Sequence, residues 1–216
     1  MKAARLNTSS LPRSVLVMSA ALLVAVATFL TGCSPEVANP SRVLQSVSVD
    51  LASDGAITTV NGSAVFVDEA TGESRSTQTD FKPAEVVDDL PVRVSTQYRT
   101  GEANGPDLND LSGFTGRVEI DITVENLTVS AKELSYDAAG QARTAAALVG
   151  TPLSIAASTE LSGTAASRLV FDSADSGQSG TNGIVSSTTD GDAVVQWAAL
   201  LAPPQSSATT VFRMVA

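Results

Sequence analysis

The 216-residue chain contains no histidine, one cysteine, one tryptophan and two tyrosines. Each scarcity closes off a class of chemistry. Without histidine there is no His-based catalytic triad, no imidazole metal ligand and no side chain that ordinarily titrates near neutral pH. With Cys33 alone, no disulfide forms within the chain, so packing has to hold the fold. The shortage of aromatics leaves Val, Ile, Leu and Ala to fill the core and few platforms on which a sugar could stack. Positive charge is scarce too: 13 basic residues face 23 acidic ones, a formal charge of −10. A surface of that sign repels phosphate backbones, so nucleic acid is not an expected partner.

The basic residues that do exist begin the chain. Lys2, Arg5 and Arg13 precede an apolar run over residues 15–30 with no acidic residue before Glu36, the layout of a secretory signal. A membrane-spanning helix needs about 20 apolar residues, more than this run supplies before polar, Pro-containing sequence follows. A buried core helix is the other reading of such a run.

The run ends in Leu30, Thr31, Gly32 and Cys33, which resemble the lipobox of bacterial lipoprotein precursors: a Leu, two small residues and the cysteine that becomes lipidated. The resemblance implies a diacylglyceryl group on the Cys33 sulfur and a signal-peptidase cut between Gly32 and Cys33. It also implies a lipid anchor in the cell membrane, on the extracytoplasmic side. Residues 1–32 are then a signal helix that is removed, and loss of Lys2, Arg5 and Arg13 takes the formal charge to −13. Membrane contact is expected through the lipid on Cys33, not through the acidic surface. Residues 33–45, with Pro35 and Pro40 and no periodicity, read as a flexible tether able to reach on the order of 20 Å.

Beyond the tether the period of the sequence is two. Val47, Val49 and Leu51 alternate with Ser48 and Asp50, and Val92, Val94, Thr96 and Tyr98 alternate with Arg93, Ser95 and Gln97. Half-buried strands have this pattern. Asn61–Gly62 between two apolar stretches predicts a tight hairpin turn, and Asp190–Gly191 predicts another. Asp54–Gly55, residues 69–73 and residues 136–141 read as further turns, residues 74–80 as a polar edge strand, and residues 153–161 and 209–215 as strands. Residues 142–148, rich in alanine, are the one ambiguous piece, tolerant of a helical turn.

The clearest strand runs over residues 117–129. Val118, Ile120, Ile122 and Val124 occupy one face, and Glu119, Asp121, Thr123 and Glu125 the other, with a phase flip and a bulge expected at Asn126 and Leu127. The pleat then sets Glu119, Asp121 and Glu125 along one outer face as an acidic stripe, a candidate interaction face for a basic partner. Trp197 alternates with Val195 and Ala199 and is expected in the core.

These signals predict an all-β fold, an antiparallel β-sandwich, divided into an N-terminal β-rich region (46–100) and a sandwich domain (114–216). The second region is similar to the conserved-repeat Ig-like domain of bacterial surface proteins: an alternating strand running into Asn126, a strand bearing Trp197, then Leu201, Ala202 and Pro203 before a closing strand over 209–215. It departs where Pro204 replaces the usual glycine. The resemblance implies an Ig-like module of a cell-surface protein.

No catalytic constellation is legible. A serine nucleophile needs a base, and beyond the leader the only lysines are Lys82 and Lys132, neither in a Ser-x-x-Lys motif. Asp107, Asn109 and Asp110 sit close in sequence, but their spacing does not match a calcium-binding loop, and the Asn126–Leu127–Thr128 glycosylation triplet carries little weight here. No metal or cofactor is expected. The reading favoured is a lipid-anchored, non-catalytic surface protein acting as an interaction or spacer module, its partner another envelope protein. The alternative is an envelope enzyme or solute-binding component that works through carboxylates.

Overall fold

The computed structural model describes residues 16–22 (as backbone), 42–171 and 179–216. In chain order the strands are β1 (Leu16–Leu22), β2 (Arg42–Leu51), β3 (Ile57–Val67), β4 (Ser74–Phe81), β5 (Val92–Arg99) and the two-residue β6 (Asn104–Gly105). After them come β7 (Glu119–Asn126), β8 (Ser130–Ala138), β9 (Gln141–Val149), β10 (Leu153–Ala165), β11 (Ile184–Ser187), β12 (Asp192–Leu201) and β13 (Thr209–Val215). Helix is limited to one turn, α1 (Pro83–Val86), and three short 3-10 turns among the described residues.

Two antiparallel sheets pack as an open sandwich. One has the order β11-β12-β10-β1-β2-β3-β4, the other β13-β7-β5-β6, and β8 with β9 forms a separate two-stranded ladder. The alternation sets the packing. Leu153, Ile155, Ala157 and Thr159 of β10 are buried while Ser154 and Ala156 between them are exposed. Across the sandwich, Ile122 and Val124 of β7 are fully buried, and Phe212 and Met214 of β13 nearly so. Trp197 of β12 stacks on Phe212 of the opposite sheet, ring centroids 5.5 Å apart, so it lies in the core as the alternation predicts.

A single hydrophobic cluster draws Val49, Leu51, Val60 and Val92 together with Ile122, Leu153, Val195 and Phe212. The stretches 46–100 and 114–216 therefore share one core. Their strands also mix within sheets, since β5 pairs with β7 and β2 to β4 extend the sheet of β10 to β12.

Several local expectations are corrected. Asn61–Gly62 makes no turn: β3 runs through it unbroken, paired with β2 on one side and β4 on the other. Gly62 is there for space, because a Cβ at that point would come within 2.8 Å of the Phe81 ring. Residues 142–148 form strand, not helix. Ala139 and Gly140, both at positive φ (55° and 82°), turn β8 back onto β9, and the Asp137 carboxylate accepts from the Gly140 N–H. A turn with positive φ at both central residues matches the twist of a hairpin, and cross-strand pairing then overrides the helix preference of alanine. β2 starts at Arg42, inside the expected tether, because Arg42 to Gln45 find partners in Val67 to Ala64 of β3. No bulge restores Leu127 to the interior: β7 keeps its phase through buried Asn126 and ends, with Leu127 exposed.

The predicted signal helix meets a different outcome where the backbone is described. Leu16–Leu22 is a strand, inserted between β10 and β2 and antiparallel to both.

Candidate functional site: an ionic face and a projecting hairpin

Cys33, Leu30, Thr31 and Gly32 lie outside the described residues. The other expected site, the face of Glu119, Asp121 and Glu125, is fully described. Each of these three carboxylates carries an arginine from a neighbouring strand. Arg93 Nη2 donates to Glu125 at 2.5 Å, Arg99 Nη2 to Glu119 at 2.6 Å and to Asp121 at 2.5 Å, and Arg213 Nε to Asp121 at 2.7 Å. Register places them: Arg93 is paired with Glu125, Arg99 with Glu119 and Arg213 with Asp121 across the ladders. Three acids facing three arginines make a charge-compensated face, not the bare acidic stripe that β7 alone predicts.

Asp121 is the centre of this network, its side chain only 12% exposed. Burial pushes its carboxyl up, but hydrogen bonds and charge from Arg213 and Arg99 outweigh that and hold it below its ordinary value. Hydrogen bonds to Glu119 and then Asp121 raise Arg99, and the hydrogen bond to Asp121 raises Arg213. The network ties three strands of the smaller sheet edge to edge.

The acids of the 100–113 loop are likewise engaged internally. Asp107 Oδ1 accepts from the Asn109 N–H at 2.9 Å and caps the turn Leu108–Leu111, and Tyr98 donates to Asp110 at 3.3 Å. Burial, then the charge of Asp110, raises the Tyr98 phenol. Among the described residues no group of three or more Asp, Glu, His or Cys side chains is placed to hold a metal. A shallow groove of about 470 Å³ lies on β10 and β12, lined by Ser154, Ile155, Ala156, Ala198, Ala199 and Leu200, a set without a titratable side chain. No described helix is long and apolar enough to cross a membrane.

The feature that sequence reading missed is the β8–β9 hairpin. Among the described residues its two strands pair with each other and with no third strand, and almost every residue along them is exposed. Nine residues per strand give an arm about 30 Å long. Register sorts its side chains, since directly opposed residues share a face. One face holds Lys132, Leu134 and Tyr136 with Arg143 and Ala145; the other holds Glu133 and Asp137 with Ala142, Thr144 and Ala146. Leu134, Tyr136 and Leu148 are exposed large apolar residues. Lys132 thus shares a face with an arginine, a tyrosine and a leucine on a protein whose composition is acidic overall.

Both legs of the arm are fixed to one buried side chain. Asn126 Oδ1 accepts from the Thr128 N–H at 2.9 Å and the Thr128 hydroxyl at 2.7 Å, on the leg that enters β8. Asn126 Nδ2 donates to the Thr151 carbonyl at 2.8 Å, on the leg that leaves β9. With the asparagine 3% exposed, its amide belongs to this root and not to a surface glycosylation triplet.

No family model, characterised protein or solved structure matches the chain.

Proposed function

We propose that the protein is a lipid-anchored, non-catalytic module of the outer face of the cell membrane, held there through Cys33 and engaging another envelope protein with the β8–β9 arm. The observation that carries the reading is the arm itself. A two-stranded hairpin is marginal in water on its own, yet this one extends both faces into solvent from a root hydrogen-bonded through Asn126. Such a surface gains its missing contacts from a partner. Lys132 and Arg143, flanking Tyr136 and Leu134, fit a partner that presents carboxylates around an apolar patch. The sandwich behind it is the kind of body the Ig-like surface-domain resemblance implies, and the tether after Cys33 supplies reach. Carboxylate chemistry is the weaker reading, since Asp107, Asp110, Glu119, Asp121 and Glu125 are each engaged by groups of the chain itself.

Two measurements test it. Cys33→Ala should leave the chain unprocessed and without lipid; a variant processed and membrane-bound like the original would overturn the anchor. For the arm, a photo-crosslinking residue at position 136 should capture a discrete envelope protein on intact cells, whereas one at Ser95, on the ionic face, should not. Adducts at Ser95 alone would move the interface to the ionic face, and adducts at neither would leave only a spacer.

A further inference from the structure

The seven residues of β1 have two claims on them. The signal reading removes them with the leader, while the fold seats them in the middle of the larger sheet. On the premise of that processing, taken from the function proposed above, we infer that the place of β1 becomes a strand-acceptor slot in the mature protein. Its occupant is an extended, uncharged apolar segment of a partner envelope protein, running antiparallel to β2 and β10.

The ladder shows what the slot offers. β1 pairs over its whole length with residues 153–159 of β10 and residues 45–51 of β2. Without it, two strands lie about 9.6 Å apart, two strand spacings, each with a row of backbone donors and acceptors facing the gap. Because both are antiparallel to β1, they run parallel to each other. Closure would need β2 to slide across a full strand spacing and re-pair in the parallel sense, carrying β3 and β4 with it. The core opposes that slide. Val49 and Leu51 of β2 and Leu153 and Ile155 of β10 belong to the same buried cluster as Ile122, Val124 and Phe212 of the opposite sheet, which sets the distance between them.

The rows also state the chemistry of the occupant. Positions 16, 18 and 20 of β1 lie in the rows of Leu51 and Thr159, Val49 and Ala157, and Val47 and Ile155, which are buried or half-buried. Positions 17, 19 and 21 lie in the rows of Asp50 and Ser158, Ser48 and Ala156, and Ser46 and Ser154. A fitting segment is therefore apolar at every second residue, small or polar between, and free of charge in the buried rows, where an unpaired carboxylate is strongly disfavoured. The apolar groove over Ala156, Ala198 and Leu200 borders the same slot on β10. Strand addition of this type takes affinity from main-chain hydrogen bonds and selectivity from alternate side chains.

The test uses the protein extracted from membranes of cells expressing the whole precursor. Its intact mass and N-terminal peptide show whether residues 16–22 are gone. Backbone hydrogen exchange is then followed along 45–51 and 153–159, with and without a synthetic peptide of residues 14–24 and the same peptide carrying Met18→Asp and Ala20→Asp. The expected result is a processed chain with fast exchange on both strands, slowed at least about tenfold by the first peptide, with the Asp-bearing peptide at least about tenfold weaker. A processed chain already protected on both strands, and indifferent to the peptide, would overturn the slot and leave the lipoprotein reading standing. A chain that still carries residues 16–22 would overturn the processing, and the slot with it.

Discussion

Asn126 Nδ2 donates to the carbonyl of Thr151 at 2.8 Å, across 25 residues of chain, and closes the root of the β8–β9 arm. The contact joins the end of the clearest strand in the sequence to the feature least visible in it. Asn126→Ala leaves the Thr128 N–H and the Thr151 carbonyl without that partner in a half-buried place, and also the buried Leu201 carbonyl at the end of β12, which accepts from the same Nδ2 at 3.3 Å. The expected cost is about 2–3 kcal/mol, a fall in Tm of roughly 4–12 °C for a chain of this size. Hydrogen exchange should rise across β8 and β9 more than in β10 or β12; a uniform rise would show that the asparagine steadies the body and not the arm.

Trp197 is the one tryptophan, 6% exposed, stacked on Phe212 and donating from Nε1 to Asn182 at 2.9 Å. Its emission should be blue-shifted and poorly quenched by acrylamide in the folded protein. Free quenching before any unfolding would contradict the cross-sheet stack.

Gly183 leaves no room for a side chain. A Cβ there would stand 2.6 Å from both the Trp197 Nε1 and a Val195 methyl. Gly183→Ala should cost about 1–3 kcal/mol through overpacking and shift the tryptophan emission. Gly140→Ala is a useful contrast, since nothing lies within 4 Å of its Cβ and only the positive φ of 82° is strained; it should weaken the arm and leave the emission unchanged.

Asp121 gives stability a defined pH dependence. Its folded-state pKa is lowered from 3.8, so its charged form favours the fold. That contribution is complete above about pH 5 and is lost as pH falls through 3.8 towards the depressed value. Tm should drop across this range, and Asp121→Asn should flatten the drop. At neutral pH the same variant should cost about 1–2 kcal/mol, towards the low end for a partly buried pair because Arg99 is nearly half exposed.

Charge reversal on the arm separates function from stability. Lys132→Glu with Arg143→Glu changes two exposed residues outside the core, so Tm should move by about 0.5 kcal/mol equivalent or less. Capture of a partner by a crosslinker at position 136 should fall strongly. Undiminished capture would show that Leu134 and Tyr136, not the cations, make the contact.

The alternation in residues 47–51, 92–98, 118–124 and 153–161 determined by itself that these segments form strands and which face of each turns to the core, because side-chain direction along a strand has a period of two, but β7 begins at Glu119 and buries Asp121 on its other face as well. The turns at Asp54–Gly55 and Asp190–Gly191 are local chemistry too, and both form, with positive φ at each glycine. Asn61–Gly62 shows the limit: the same dipeptide is a turn or a packing gap depending on Phe81, a ring twenty residues ahead that no local pattern reveals. The alanines of β9 show it again, since their strand state depends on β8. Pairing across the chain decided the rest. Glu119, Asp121 and Glu125 read as an acidic stripe along β7, but Arg93, Arg99 and Arg213 reach them only because β5 and β13 flank β7 in one particular register. The sequence alone carries the lipobox-like Leu30 to Cys33. The arm, its root at Asn126 and the place of β1 between β2 and β10 exist only in the tertiary structure, because a strand's neighbours are set by the closing of one shared core and not by the strand itself.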